Sequence, residues 1–154
     1  MNIYTYTFKL CSLGIAEEDG AVCGILFSHG KTPENFEKKE SSITKKACKQ
    51  LEEYFDGRRK TFDLPLAPHG TEFQLKIWDA LQTIAYGKTR SYGQIAEMTG
   101  NPKASRAVGM ANNKNPIPII IPCHRVIGHN GKLTGYAGGL ELKQNLLELE
   151  KQYS

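Results

Sequence analysis

The chain has 154 residues, a formal net charge of +4 and four cysteines that form no close pairs. This length suits one ordinary domain or two small lobes, and no apolar stretch approaches the length of a membrane span. Without close cysteine pairs or an apolar leader, a disulfide framework and export are not expected, which predicts a reduced, cytoplasmic protein with no membrane partner.

The first part of the chain carries strand patterns. Residues 4–10 and parts of 12–16 alternate apolar with polar side chains, and residues 22–27 are apolar. The pair Asp19-Gly20 between them is a turn signal. These segments predict a small antiparallel meander.

A helix and a connection follow this meander. Residues 28–42 are polar and predict a loop, whereas residues 43–55 have the apolar spacing of an amphipathic helix. Residues 57–69 contain Pro65 and Pro68, which discourage both a helix and a central strand. We therefore predict an N-terminal α/β lobe over residues 1–68 and a second domain over residues 69–154.

The second domain begins with helix signals. Capping boxes start at Thr71 and at Ser91, and Asn101-Pro102 offers an N-cap and a first-turn proline for a helix over residues 103–112. The last two helices, joined by a tight turn that contains glycine, predict a helix-turn-helix. Because Arg106 is the only long cation in the middle of the second of these helices, among small residues, it is suited to enter the base stack of a duplex.

Charge is distributed unevenly along this domain. Residues 101–140 contain no aspartate or glutamate but include five basic residues: Lys103, Arg106, Lys114, Arg125 and Lys132. A phosphate backbone favours such a surface through counterion release, which predicts a nucleic-acid partner. A solvated face that simply lacks acids is the alternative.

The most informative motif is Pro122-Cys123-His124-Arg125, which closes an apolar run over residues 117–121. A base and a cation beside a thiol favour its ionised form, so Cys123 is a candidate nucleophile. A buried structural cysteine is the alternative interpretation.

Possible metal ligands occur in the first lobe. Cys11, Cys23, His29 and His69 lack the close pairs that structural zinc sites use. We therefore expect no metal and no cofactor, and chemistry at Cys123 requires neither.

These motifs together resemble the methylated-DNA–protein-cysteine methyltransferases, the O6-alkylguanine-DNA alkyltransferase family. The matching segments are residues 71–78, 91–96, 101–109, 115–126 and 135–140. The N-terminal half resembles the family only in size and in its order of strands and helix. The resemblance implies an α/β (α+β) fold, in which a small N-terminal antiparallel sheet with a helix precedes a mainly helical, winged helix-turn-helix-like catalytic domain.

The resemblance also implies a reaction. A monomer would bind double-stranded DNA that contains an alkylated base, flip that base out of the helix, and transfer its methyl or other alkyl group to Cys123. The substrate would be O6-alkylguanine and also O4-methylthymine. Because a thioether has no easy route back to a thiolate, each molecule would act once.

The family motif assigns roles around the cysteine. His124 would accept the thiol proton through an ordered water, and Glu150 on the last helix would hold His124, with Glu148 as the fallback. Tyr92 would donate a proton to the departing guanine, and Asn115 would hold the turn that carries the thiol.

Further residues are implied for the base and the duplex. Val126 and the Cys123 carbonyl would meet the exocyclic amine of guanine, the backbone N–H of Ala137 would face O6, and Tyr136 would cover the base. Arg106 would fill the space of the flipped nucleotide. The other expected DNA contacts are Ser91, Lys103, Ala107 and Arg125.

Three other functions are alternatives to this one. A non-catalytic lesion binder of the same fold lacks the acceptor thiol, so Cys123 argues against it. A helix-turn-helix regulator reads bases with long polar side chains, and residues 103–112 supply few of them. A cysteine hydrolase needs an oxyanion hole and repeated turnover.

Overall fold

The computed structural model describes residues 1–27 and 36–154. It divides the chain into two compact units, Met1–His69 and Gly70–Ser154. Part of the loop predicted over residues 28–42 lies outside the described residues, and so does the candidate ligand His29.

The first unit contains a four-stranded sheet in the order β3-β2-β1-β4. Its strands are β1 (Asn2–Thr7), β2 (Ser12–Glu18), β3 (Ala21–Phe27) and β4 (Glu37–Lys38). The first three form an antiparallel meander, and Asp19 and Gly20 at the β2–β3 turn have φ values of 52° and 81°, as a type I′ hairpin turn requires. The predicted meander is confirmed. The parallel strand β4 was not predicted, because two exposed charged residues carry no strand pattern.

The helix of the first unit is α1 (Ser42–Phe55). Ser41 caps it in a reciprocal capping box with Thr44, and its buried face includes Leu51 and Tyr54. The helix predicted over residues 43–55 is therefore confirmed. The connection that follows passes along β3, where the Val22 N–H donates to the Pro65 carbonyl at 2.8 Å and Val22 O accepts from the Ala67 N–H at 2.9 Å.

The second unit is mainly helical. Its elements are α2 (Glu72–Leu81), β5 (Arg90–Ser91), α3 (Tyr92–Met98), α4 (Ser105–Asn113), a 3₁₀ turn (Cys123–Arg125), β6 (Val126–Ile127) and α5 (Leu140–Tyr153). Thr71 and Ser91 cap α2 and α3 in the predicted capping boxes. The short strands β5 and β6 pair in parallel, with Ser91 opposite Ile127, which brings the start of α3 to the end of the 3₁₀ turn.

The helix-turn-helix differs from its prediction at one boundary. The Asn101 N–H donates to Ala96 O and the Gly100 N–H to Glu97 O, so Asn101 completes a Schellman motif at the end of α3. The predicted N-cap role of Asn101 is therefore wrong. Ala104 occupies that position instead, without a side-chain cap, and Lys103 precedes α4.

The core of this unit surrounds Trp78. Its indole N–H donates to the Ala111 carbonyl at 2.9 Å, and a Cβ on Gly70 would approach the indole ring to 2.4 Å, so only glycine fits there. The apolar run at residues 117–121 is buried as predicted. Phe73, in the first turn of α2, is 38% exposed. No helix among the described residues is long and apolar enough to cross a membrane.

Candidate active site

Cys123 begins the 3₁₀ turn that follows the buried run, and it is only 4% exposed. The run itself bends sharply at Ile119, whose φ is 74°. A branched side chain rarely adopts this conformation, which costs about 1–3 kcal/mol. The Ile121 N–H donates to Ile117 O at 2.9 Å and stabilises the bend.

Asn115 ties this bent segment together. Its Nδ2 donates to Ile121 O at 2.8 Å, and its Oδ1 accepts from the Ile117 N–H at 3.0 Å. A further hydrogen bond to the Cys123 side chain lowers the pKa of the thiol. These contacts agree with the holding role that the family motif implies for Asn115.

His124 and Glu150 form a buried pair. His124 Nε2 lies 2.6 Å from Glu150 Oε2, and the side chains are 0% and 1% exposed. Burial lowers the pKa of His124, so the imidazole is neutral at pH 7. A neutral ring beside a carboxylate carries its proton on Nε2, which leaves Nδ1 as the basic nitrogen.

Glu150 also accepts hydrogen bonds from Arg125 and from the backbone. Arg125 Nε and Nη2 lie 2.8 and 3.1 Å from the two carboxylate oxygens, and the Gly87 N–H donates to Oε1 at 3.1 Å. Burial raises the pKa of the carboxyl group, but the hydrogen bonds from His124 and Arg125 and the charge of Arg125 outweigh it, and the pKa is lowered to about 2. The fallback residue Glu148 is exposed and accepts from Gln144.

The position of Arg125 corrects its expected role. The residue is 7% exposed, and its Nη1 donates to Ile84 O at 2.7 Å while its other nitrogens bind Glu150. Because each of the three guanidinium nitrogens donates a hydrogen bond inside the domain and the residue is buried, a phosphate contact does not fit this position. Arg125 instead orients the carboxylate that holds His124.

The ionisation of Cys123 differs from the sequence prediction. Burial raises the pKa of the thiol to about 11, although a hydrogen bond from Asn115 and the charge of Lys143 act in the opposite direction. The resting side chain is therefore a neutral thiol, and the prediction of a resting thiolate is wrong. Sequence spacing does not show how deeply a thiol is buried, and here burial has a larger effect on the pKa of Cys123 than nearby positive charge has.

Lys143 on α5 was not singled out by the sequence. It is buried on this helix together with Leu142 and Leu146. Its Nζ donates to Val126 O at 2.7 Å and to Thr134 O at 2.8 Å. Burial lowers the pKa of this amine to about 8. The sequence offered no signal for this position, because a lysine on an amphipathic helix normally faces water.

Tyr92 lies in the first turn of α3 on the wall of an open cleft. The cleft has a volume of about 740 Å³, and Arg106 and Thr134 line it together with Tyr92. The Tyr92 hydroxyl is 2.7 Å from Thr134 Oγ1. The same cleft contains Ser91, whose side chain caps α3.

The remaining residues expected to contact the duplex or the base differ in their burial. Arg106, Ala107 and Lys103 are exposed on or just before α4. Val126 is buried next to the 3₁₀ turn, Tyr136 is half-buried, and Ala137 is exposed on the segment before α5. The structure therefore places the buried residues Cys123, His124, Val126 and Glu150 beside the half-buried Asn115, and Tyr92, Ser91 and Arg106 line the cleft.

The candidate metal ligands of the first unit do not form a cluster among the described residues. No group of three histidine, cysteine, aspartate or glutamate side chains there is arranged to hold a metal ion. His69 Nε2 instead lies 2.9 Å from Glu18 Oε2. All four cysteines are free thiols.

Two family models match the chain. The 6-O-methylguanine DNA methyltransferase ribonuclease-like domain matches residues 2–68, and the DNA binding domain of the same family matches residues 72–152. The two matches together span both units of the structure.

Individual proteins are similar over most or all of the chain. The methylated-DNA–protein-cysteine methyltransferase of Methanosarcina acetivorans is 66% identical over 106 residues, which cover 69% of this chain and 68% of that protein. The constitutive methylated-DNA–protein-cysteine methyltransferase of Bacillus subtilis is 49% identical over 159 residues, covering 98% and 96%. A crystal structure of OGT from Mycobacterium tuberculosis in complex with DNA matches with a TM-score of 0.94 and 43% identity, covering 100% of this chain and 95% of that chain.

Proposed function

This chain belongs to the family of methylated-DNA–protein-cysteine methyltransferases, and we propose that Cys123 is the residue that accepts the alkyl group. The protein repairs DNA by moving an alkyl group from a damaged base to its own cysteine. Cys123 is the only one of its four cysteines that a histidine follows in the sequence.

The observation that carries this assignment is the buried pair beside Cys123. Glu150 holds Nε2 of His124 at 2.6 Å, and His124 is the residue next to the thiol. A neutral imidazole whose Nδ1 is basic accepts a proton from a thiol of high pKa without transfer to bulk solvent. This is the nucleophile, base and orienting acid of a catalytic triad, with sulfur as the nucleophile.

The transfer step follows from these positions. The thiol proton moves to His124 through an ordered water, and the sulfur attacks the alkyl carbon in line with its bond to O6 of guanine. The new S–C bond forms as the C–O bond breaks, and the electron pair of the C–O bond stays on the base. The Tyr92 hydroxyl donates a proton to the departing guanine and thereby neutralises it.

Access to the thiol requires an extruded nucleotide. Cys123 is 4% exposed, and the O6 of a guanine stacked in a duplex cannot approach such a buried atom. We propose that Arg106, exposed on α4 and lining the cleft, fills the space that the flipped base leaves. Lys103, Ala107 and Ser91 are proposed to contact the adjacent backbone.

The pocket residues support recognition of the purine. Val126 and the Cys123 carbonyl are proposed to meet the exocyclic amine, and the Ala137 N–H is proposed to face O6 below Tyr136. O4-methylthymine is a further proposed substrate, since its alkylated oxygen presents the same leaving group to the sulfur. We also propose that the protein acts as a monomer in the cytoplasm, where its four free thiols stay reduced.

A labelled-methyl titration tests this function. A duplex that carries O6-methylguanine with a tritiated methyl group is mixed, in excess, with a known amount of protein. Transfer is expected to stop at one methyl per protein molecule and to be lost in Cys123→Ser. Continued turnover, or equal labelling of Cys123→Ser, would overturn the proposal.

A further inference from the structure

We propose that Thr134 is a positioning residue for alkyl transfer: its hydroxyl donates a hydrogen bond to the phenol oxygen of Tyr92 and fixes the proton donor of the reaction. The inference rests on the proposed function, because it acts through the role of Tyr92. The sequence motifs did not include Thr134.

The hydroxyl pair is the first observation. Tyr92 Oη and Thr134 Oγ1 lie 2.7 Å apart, and both residues line the cleft of Arg106. This distance is that of a well-formed hydrogen bond between two hydroxyl groups. The two residues are 42 positions apart in the chain, so the contact is set by the tertiary fold.

The phenol ring is held from its other side. The nearest atoms to a Cβ built on Gly109 would be Cδ1 and Cε1 of Tyr92, at 3.7 and 3.8 Å. Even a built Cβ would be in ordinary van der Waals contact at these distances, so this side of the ring lies beside α4 at Gly109. The Tyr92 ring therefore lies beside α4, and its hydroxyl is paired with Thr134.

Thr134 is itself anchored to the buried cluster. Its carbonyl accepts a 2.8 Å hydrogen bond from Lys143 Nζ, which also donates to Val126 O at 2.7 Å. The next residue, Gly135, has a φ of 27°, and a Cβ there would lie 3.0 Å from the Asn113 side chain. These contacts fix the backbone that carries the Thr134 hydroxyl.

The direction of the hydrogen bond follows from the chemistry. Tyr92 must keep its own proton for the departing guanine, so its oxygen is the acceptor and Thr134 is the donor. As the phenol proton moves to the base, negative charge develops on the Tyr92 oxygen, and a hydrogen bond to a charged atom is stronger than one to a neutral atom. Thr134 therefore stabilises the transition state more than the resting protein.

The test is a double-mutant cycle on the single-turnover rate of methyl transfer from an O6-methylguanine duplex. Thr134→Val keeps the shape of the side chain and removes the hydroxyl, and it is expected to slow transfer about tenfold. Thr134→Ser keeps the hydroxyl and is expected to retain most of the rate. In a Tyr92→Phe background, Thr134→Val is expected to have no further effect.

Each outcome separates the possible roles. The positioning role would be overturned if Thr134→Val slowed transfer equally in the unmodified protein and in Tyr92→Phe. It would also be overturned if Thr134→Val did not slow transfer at all. A tenfold loss in Thr134→Ser would show that the methyl group of threonine, and not its hydroxyl, is needed, which also overturns it. If the unmodified protein accepts no methyl group, the proposed function fails instead, and thermal melting of each variant reports its folding separately.

Discussion

Nε2 of His124 lies 2.6 Å from Oε2 of Glu150, and both side chains are withdrawn from solvent. This contact fixes the proton of the neutral imidazole on Nε2 and makes Nδ1 the proton acceptor. A proton that passes from Cys123 to His124 therefore stays inside the protein, which has a direct consequence for the pH dependence of the reaction.

The rate of methyl transfer is expected to be nearly independent of pH between 6.5 and 7.5. Burial lowers the pKa of His124 below its ordinary value of 6.5, so the base is neutral throughout this range, and the range also lies below the pKa of about 8 of Lys143. Single-turnover rates in buffers of constant ionic strength give the profile.

The matched variant for this profile is His124→Gln. Without an internal base the thiol must lose its proton to solvent, and since its pKa is about 11, the rate is expected to rise about tenfold per pH unit. A steep profile in the unmodified protein would contradict proton transfer to His124.

Glu150→Gln is expected to lower the free energy of unfolding near neutral pH and to weaken its dependence on pH in acid. The pKa of Glu150 is lowered from 4.5 to about 2, so the folded state binds this proton less tightly than the unfolded chain does. The resulting stabilisation, about 3 kcal/mol, is complete above pH 4.5 and is lost as the pH falls towards 2. Denaturant unfolding at a series of pH values measures it.

The control for this variant is Glu148→Gln on the same helix. Glu148 is exposed and accepts a hydrogen bond from Gln144 on the same helix, so its replacement is expected to change the free energy of unfolding by less than about 0.5 kcal/mol. Equal losses in the two variants would contradict the special position of Glu150.

Arg125→Met is expected to destabilise the fold without changing the salt dependence of DNA binding. The guanidinium pairs with Glu150 inside the domain, and removal of one partner of a buried pair costs about 3–5 kcal/mol. Lys103→Ala supplies the comparison, since an exposed phosphate contact reduces the slope of log affinity against log salt by about 0.9. Fluorescence anisotropy with a labelled duplex measures the DNA affinity of both variants at several salt concentrations, below the melting temperature of Arg125→Met. A reduced slope in Arg125→Met would restore its expected role in DNA binding.

Lys143→Met is expected to slow methyl transfer about tenfold at pH 7, because loss of a buried positive charge raises the pKa of Cys123 further. The reactivity of the thiol towards iodoacetamide, followed against pH, reports that pKa directly. Lys151→Met, on the exposed side of the same helix, is the control and is expected to leave the pKa unchanged. If the pKa of Cys123 is unchanged in Lys143→Met, the amine serves only to bind the carbonyls of Val126 and Thr134.

The sequence was most informative where local signals decide the structure. The capping boxes at Thr71 and Ser91 define helix starts through contacts within four residues, and the Asp19-Gly20 turn defines a hairpin in the same way. Asn101 misled because the same residue type ends a Schellman motif and begins a helix, and the choice depends on which carbonyls are available.

The electrostatics of the site could not be predicted from spacing. A cation beside a thiol indicated a thiolate, yet burial of Cys123 has the larger effect and the guanidinium of Arg125 is committed to Glu150. Lys143 and Thr134 were missed for a related reason. Their functional contacts are with carbonyl and hydroxyl groups that only the folded chain brings close.

The most direct test of the central claim is to locate the methyl group after reaction with a duplex that contains O6-methylguanine. The protein is denatured, its remaining thiols are blocked with iodoacetamide, and its peptides are sequenced by mass spectrometry. The expected result is S-methylcysteine at Cys123, with Cys11, Cys23 and Cys48 all carrying the blocking group. A methyl group on any of those three, or on none of the four, would contradict the assignment of Cys123 as the acceptor.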